Sequence, residues 1–286
     1  MISLENEFLR VQISPEGAEL KSVFSVKNQL EYIWGADPRY WNRSAPHLFP
    51  IVGALNNNTY RHNGKSYLLP RHGFVRDMPS VLVEHKNDSA EFEFCANEDT
   101  LNNFPFHFSL RIRFALENSS IKTKYLLFNP DAVPLLYSLG AHPGFCLHDK
   151  MENYAIEFDQ EESTQRYFVD RGLISTENAS FNTLNKRIFL KKGLFKKDAM
   201  VFKDLRSKRA KLYHINNERG VELTWDEKFK FFGVWTQPDC ETFICLEPWA
   251  GIADHQHFNG DLHEKEGIRS LPPYQSETFE LNYSFL

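Results

Sequence analysis

The run Phe106-His107-Phe108-Ser109-Leu110-Arg111-Ile112-Arg113-Phe114 alternates apolar and polar residues without a break. Successive side chains of an extended strand point to opposite faces. Phe106, Phe108, Leu110, Ile112 and Phe114 therefore share one face, and His107, Ser109, Arg111 and Arg113 the other. A helix would scatter the same apolar groups around its circumference, so the run predicts a half-buried antiparallel strand. Ile121 through Phe128 follows after Glu117-Asn118-Ser119-Ser120, which predicts a hairpin. Similar short runs cover Phe8–Ile13, Glu91–Phe94, Lys211–Ile215, Gly220–Trp225, Phe231–Trp235, Thr242–Leu246 and Glu277–Tyr283. Helical signal is confined to Asn97–Asn103, ended by Phe104-Pro105. No repeat, linker or domain boundary is visible, so residues 1–286 read as a single all-β domain, a sandwich or barrel of many short strands.

Composition bounds the class. The chain is 42% hydrophobic with 25 Phe, ample for a large core, and its formal charge of -5 is spread along the sequence. That distribution offers no basic face for nucleic acid. No apolar run approaches the roughly 20 residues that span a bilayer, and Met1–Glu7 lacks the features of a secretory signal. Cys95, Cys146, Cys240 and Cys245 form no CxxC pair, so neither a zinc site nor a disulfide framework is expected. Reduced thiols in a cytoplasmic protein are the simplest reading.

Three stretches carry chemistry: Arg71-His72-Gly73-Phe74-Val75-Arg76-Asp77, Gly140-Ala141-His142-Pro143-Gly144-Phe145 and Cys245-Leu246-Glu247-Pro248-Trp249. His72 and His142 stand out among eleven histidines because each sits in a Gly- or Pro-punctuated loop beside an aromatic residue. Such loops on a rigid β scaffold commonly hold sites, whereas His62, His85 and His214 lie in ordinary turn or strand contexts. Glu247 ends the apolar run Phe243–Leu246 and precedes Pro248-Trp249. Burial there would raise its pKa toward that of a useful general base, although a structural ion pair gives the same signal. His255-Gln256-His257 with His263-Glu264 resembles a cupin-like metal cluster but lies in a polar loop with the glutamate too distant. No GxGxxG or GxxxxGK[ST] pattern supports a nucleotide cofactor.

Taken together, Pro46–Gly53, Leu69–Asp77, Gly140–Phe145 and Leu246–Asp254 resemble the aldose 1-epimerase (galactose mutarotase) superfamily, closest to its LacX-like branch, in order and over nearly the whole chain. The resemblance implies a large antiparallel β-sandwich of the galactose mutarotase type with a sugar cleft. It implies interconversion of aldose anomers without cofactor or metal, by a protein that is a monomer or homodimer. Glu247 would be the base at the C1 hydroxyl, His142 the acid at the ring oxygen, and His72 the stabiliser of charge developing there.

The sequence departs from the family at the early loop. Val52–Asn58 holds no arginine where galactose mutarotases carry an Asn-Arg pair, and the family's sugar-binding aspartate has only regional candidates, Asp226 and Asp239. Galactose is therefore not implied as the substrate. Arg43, Arg71 and Arg76 resemble the anion-binding arginines of hexose-6-phosphate mutarotases, and a planar guanidinium suits phosphate. Phe74, Trp235 and Trp249 are candidates to stack on the sugar ring. The expected partner is a hexose or hexose phosphate. The alternative is a non-catalytic carbohydrate-binding or sensing protein that retains the cleft.

Overall fold

The computed structural model describes residues 1–286 and is built almost wholly of antiparallel strands. One nine-stranded sheet runs from Arg187–Phe189 through Tyr154–Phe158, Arg209–His214, Gly220–Trp225, Ser276–Phe285, Ser120–Phe128, Ser109–Glu117 and Ser89–Cys95 to Val81–His85. An eight-stranded sheet places Phe243–Ala250 between Phe231–Trp235 on one side and Leu139–Ala141 and Gly144–Cys146 on the other. A four-stranded sheet of residues 2–31 and two small pairs complete the architecture.

The expected hairpin forms, with Ser109 opposite Phe128 and Glu117 opposite Ser120. Its first strand starts at Ser109 rather than Phe106, because Asp131 accepts from the His107 backbone at 2.8 Å and holds that segment off the sheet. Phe106 and Phe108 are nevertheless buried with Leu110, Ile112 and Phe114, as the alternation requires. The helical turn spans Glu98–Asn103, started by a capping box between Asn97 and Thr100.

The two large sheets face each other across a continuous core of 63 buried residues. Phe145 meets Tyr283 and Phe158 meets Phe232 across the layers, with centroids 6.2 and 6.1 Å apart. Phe243–Ala250 is buried along its whole length, so both of its faces are covered. Ile244 and Leu246 enter the inter-sheet core, while Trp249 joins a smaller cluster on the other side of the sheet with Val52, Ile174 and Val201. That second face carries the site.

The strand does not stop at Leu246, as the proline suggests, but runs through Glu247 and Pro248 to Ala250. The Leu246 amide donates to Pro143 at 3.3 Å, so amides of that parity face an edge where the ladder is interrupted. Pro248 has the same parity and no partner is lost by its missing N–H. Glu247 is thus a mid-strand residue.

Candidate active site

The register of Phe243–Ala250 brings the chemistry together. Gly140 pairs with Trp249 and Gly144 with Cys245, which leaves His142 opposite Glu247 in the gap between two short strands. On the other flank Gly233 pairs with Glu247 and Trp235 with Cys245. A Cβ on Gly233 would come within 2.7 Å of the Trp249 ring and 3.3 Å of Glu247 Cβ. The indole therefore lies flat over a bare backbone beside the carboxylate.

His142, Glu247, Trp235 and Trp249 line a cavity of about 240 Å³ that also receives Arg71, His72 and Arg76. His142 Nε2 stands 3.1 Å from Glu247 Oε2, too poorly aligned to count as a hydrogen bond, because Oε2 has no such partner. Trp41 stacks on the His142 ring at 4.9 Å, and Trp235 and His72 each meet it edge-on at 5.6 Å. The imidazole is clamped on three sides, so its orientation is set before any ligand arrives.

His72 sits at φ +68°, a left-handed conformation uncommon for a residue with a Cβ. It is held there by a reciprocal pair: its amide donates to the Gly53 carbonyl at 2.8 Å, and the Gly53 amide donates to its Nδ1 at 3.1 Å. Gly53 itself has φ +73°, and a Cβ there would fall 2.4 Å from that of Ala253. A neutral imidazole has one acceptor nitrogen. Nδ1 faces the Gly53 amide and Nε2 faces Arg71 Nε–H at 3.3 Å, so two donors compete for that one acceptor. The contact draws the Arg71 side chain against the imidazole at the cavity wall.

Electrostatics follow from burial. Burial drives the Glu247 carboxyl well above the usual carboxylate range, opposed by the nearby Arg71 charge and reinforced by Asp198. Burial, then the Arg71 charge, pushes His142 down to about 3. His72 is pushed well down by burial, with His142, Arg71, Arg76 and Arg43 adding to it. Each shift resists charge, so burial favours the uncharged form of both members of the His142–Glu247 pair.

The other expected residues divide. Trp235 and Trp249 line the cavity, as do Arg71 and Arg76. Phe74 does not: its ring turns inward onto Phe104 and Phe108, 6.1 and 6.0 Å away, where aromatic burial is available. Arg43 does not line it either. It binds Asp77 at 2.6 Å and the Arg76 carbonyl at 3.5 Å, so it acts on the cavity only through its charge. Asp226 accepts from the Lys228 and Glu280 amides, tying a turn to the last strand, and Asp239 lies in the turn Gln237–Cys240 outside the cavity. His255 is bound to Glu266 at 2.5 Å and His263 to Asp261 at 3.0 Å, so the supposed metal loop does not converge. Asp198, Gln237 and Trp41 also line the cavity and were not anticipated. Asp198 ends the lysine-rich segment Lys191–Asp198, which has no pattern to mark it.

The family model for aldose 1-epimerase matches residues 1–284. The chain is 33% identical over 285 residues to the chromosomal LacX protein of Lactococcus lactis, covering 95% of each. A galactose mutarotase related enzyme from Lactobacillus acidophilus superposes with TM-score 0.93 at 30% identity, covering 99% of this chain and 96% of that one. A galactose mutarotase-like protein from Lactobacillus casei gives 0.94 at 25% identity over the full length of both. The sandwich, the order of the motifs and these likenesses agree: the chain belongs to the aldose 1-epimerase family.

Proposed function

We propose that the protein interconverts the α and β anomers of a hexose or hexose phosphate, with Glu247, His142 and His72 at the reacting centre. The observation that carries this reading is the placement of His142 opposite Glu247 at 3.1 Å, both buried, in a sugar-sized cavity. Glu247 as carboxylate takes the proton of the C1 hydroxyl while His142 as imidazolium gives one to the ring oxygen. The C1–ring oxygen bond breaks and C1 becomes an aldehyde. Glu247 is now protonated and His142 neutral, the distribution that burial favours at both groups. Rotation about C1–C2 presents the other face. Glu247 returns its proton to the carbonyl oxygen, His142 takes one from the C5 hydroxyl, and the ring closes with no net proton change.

His72 and the Arg71 guanidinium, both on the cavity wall, stabilise the oxygen on which negative charge grows. Trp249 and Trp235 offer apolar faces to the ring. Arg71 and Arg76 are the candidate selectors of substrate, through hydroxyls or a phosphate. Mutarotation proceeds unaided in water, so positioning and proton transfer of about 10²–10⁴-fold suffice without a covalent intermediate. Exchange spectroscopy on α-glucose, α-galactose and their 6-phosphates tests the reading. Unchanged exchange rates for all four in the presence of protein would overturn it in favour of a sugar-binding role.

A further inference from the structure

Cys245 is two residues from Glu247 on Phe243–Ala250, so both side chains leave the same face of the strand. With His142 they form a group whose ligand atoms (a ring nitrogen, a thiol sulfur and a carboxylate oxygen) all lie within 4.8 Å of one another. The three residues are 8%, 0% and 1% exposed for His142, Cys245 and Glu247. Glu247 Oε2, buried and 3.1 Å from His142 Nε2, has no hydrogen-bond partner. A cation entering here would have no hydrogen bond to displace from that oxygen.

We propose that His142, Cys245 and Glu247 form a site for a borderline-soft divalent cation, with Zn²⁺ as the fitting ion, and that the bound ion silences the sugar cavity. An N, S and O donor set suits Zn²⁺ better than Mg²⁺ or Ca²⁺, which prefer oxygen alone. With Zn–S near 2.3 Å and Zn–N near 2.0 Å, tetrahedral ligands sit about 3.5 Å apart. The 3.1 Å between His142 Nε2 and Glu247 Oε2 is already of that order. The thiol needs only a shift of about 1 Å to join them. On coordination the Cys245 thiol proton and the proton shared by His142 and Glu247 leave to solvent, and three lone pairs pass to the metal. The fourth position opens onto the cavity. With both lone pairs engaged, Glu247 has no base and His142 no proton to give.

The binding stands on geometry alone, while the silencing rests on the anomer exchange proposed above, so the two are tested by separate readouts. Purified metal-free protein is titrated with Co²⁺ and followed by absorption, with Zn²⁺ as competitor. Site occupancy gives a thiolate-to-cobalt charge-transfer band that saturates at one ion per chain and is removed by Zn²⁺. Cys245→Ser and Cys245→Ala each abolish that band and weaken Zn²⁺ binding by at least about a hundredfold, beyond what loss of an outer-shell partner costs. Circular dichroism checks that at least one of the two variants is folded. Zn²⁺ then slows anomer exchange in the wild-type protein and leaves it unchanged in that variant. A band that persists in both variants, or no stoichiometric binding, overturns the site. Binding as described with no anomer exchange in any sample upholds the site and overturns the mutarotase reading instead.

Discussion

His142 and Glu247 come from separate strands, yet they face each other because Gly140 pairs with Trp249 and Gly144 with Cys245 on either side of them. An interruption of one ladder, with its register kept, thus supplies an imidazole to a carboxylate on the neighbouring strand. Register is strongly specified where both faces of a strand are buried, since a one-residue slip exchanges them. Here such a slip would put Glu247 in the inter-sheet core and Leu246 in the cavity.

If the pair works as one proton-sharing unit, removing either member removes the whole of its contribution. Glu247→Gln and His142→Asn are each expected to slow anomer exchange by about 10²–10⁴-fold. The double variant should be little slower than the worse single one, because residues that act as a unit are non-additive. Saturation-transfer measurements on all three proteins check this; multiplicative losses would mean independent roles.

Gly233 makes room for the carboxylate. Its backbone is ordinary, but a Cβ would lie 2.7 Å from the Trp249 ring and 3.3 Å from Glu247 Cβ. Gly233→Ala is expected to fold and to lose about 10²-fold in kcat/KM through misplacement of the base by about 1 Å. Gly53→Ala is harsher, since the position also has φ +73° and a Cβ there would fall 2.4 Å from that of Ala253. It should lower the yield of folded protein as well as activity, as judged by circular dichroism and thermal melting.

Arg71 lines the cavity and, on the proposed function, is a candidate to distinguish a phosphorylated from a free hexose. Arg71→Gln removes its charge and its planar fork. If the substrate is phosphorylated, KM for the 6-phosphate should rise at least about tenfold more than for the free sugar, since charge-assisted bonds are about twice as strong as neutral ones. Equal effects on both would make Arg71 a hydroxyl ligand only.

Acid sensitivity has a calculable sign. Burial holds His47 down at about 4 and His142 at about 3, from an ordinary 6.5, and His72 well below it. Below pH 6.5 the unfolded chain takes up protons that these folded imidazoles refuse, so their contribution is complete above 6.5 and is lost as pH falls through the folded values. Glu247 opposes them, because its raised value makes the folded state retain a proton that the unfolded chain has released above its ordinary 4.5. Three imidazoles outweigh one carboxyl, so stability falls between about pH 6.5 and 4.5, by about 1.4 kcal/mol per pH unit for each unmatched proton. Urea unfolding at pH 7 and pH 5 reads the difference, and His47→Gln should flatten it.

Beneath the cavity floor, Lys265 Nζ binds Asp254 Oδ1 at 3.0 Å with both side chains almost wholly buried. Asp254 also accepts from the Asn56 amide at 2.9 Å, and Lys265 donates to the Ile252 carbonyl at 2.5 Å. Lys265→Met leaves a buried carboxylate unpaired and is expected to cost about 3–5 kcal/mol in urea unfolding. A loss below about 1 kcal/mol would show that the pair does not hold this loop.

The alternation of Phe106 through Phe114 was enough to mark a half-buried antiparallel strand, and its recurrence along the chain an all-β sandwich or barrel, because a period of two leaves one face apolar whatever the topology. The motifs around His72, His142 and Glu247 were likewise visible as glycine- and proline-marked departures from that period. What lay outside the sequence was decided by contact across the sheet. Phe74 looked like a ring for the sugar and instead packs, half-buried, against the core, because only the packed structure shows Phe104 and Phe108 on its other side. Asp198 and Trp41 reach the cavity from segments without periodicity. Cys245 shares a cluster with His142, about a hundred residues away in the chain, which no local spacing announces. Local sequence sets which way a side chain points along its own strand; which groups it then meets depends on the register and packing of strands distant in the chain.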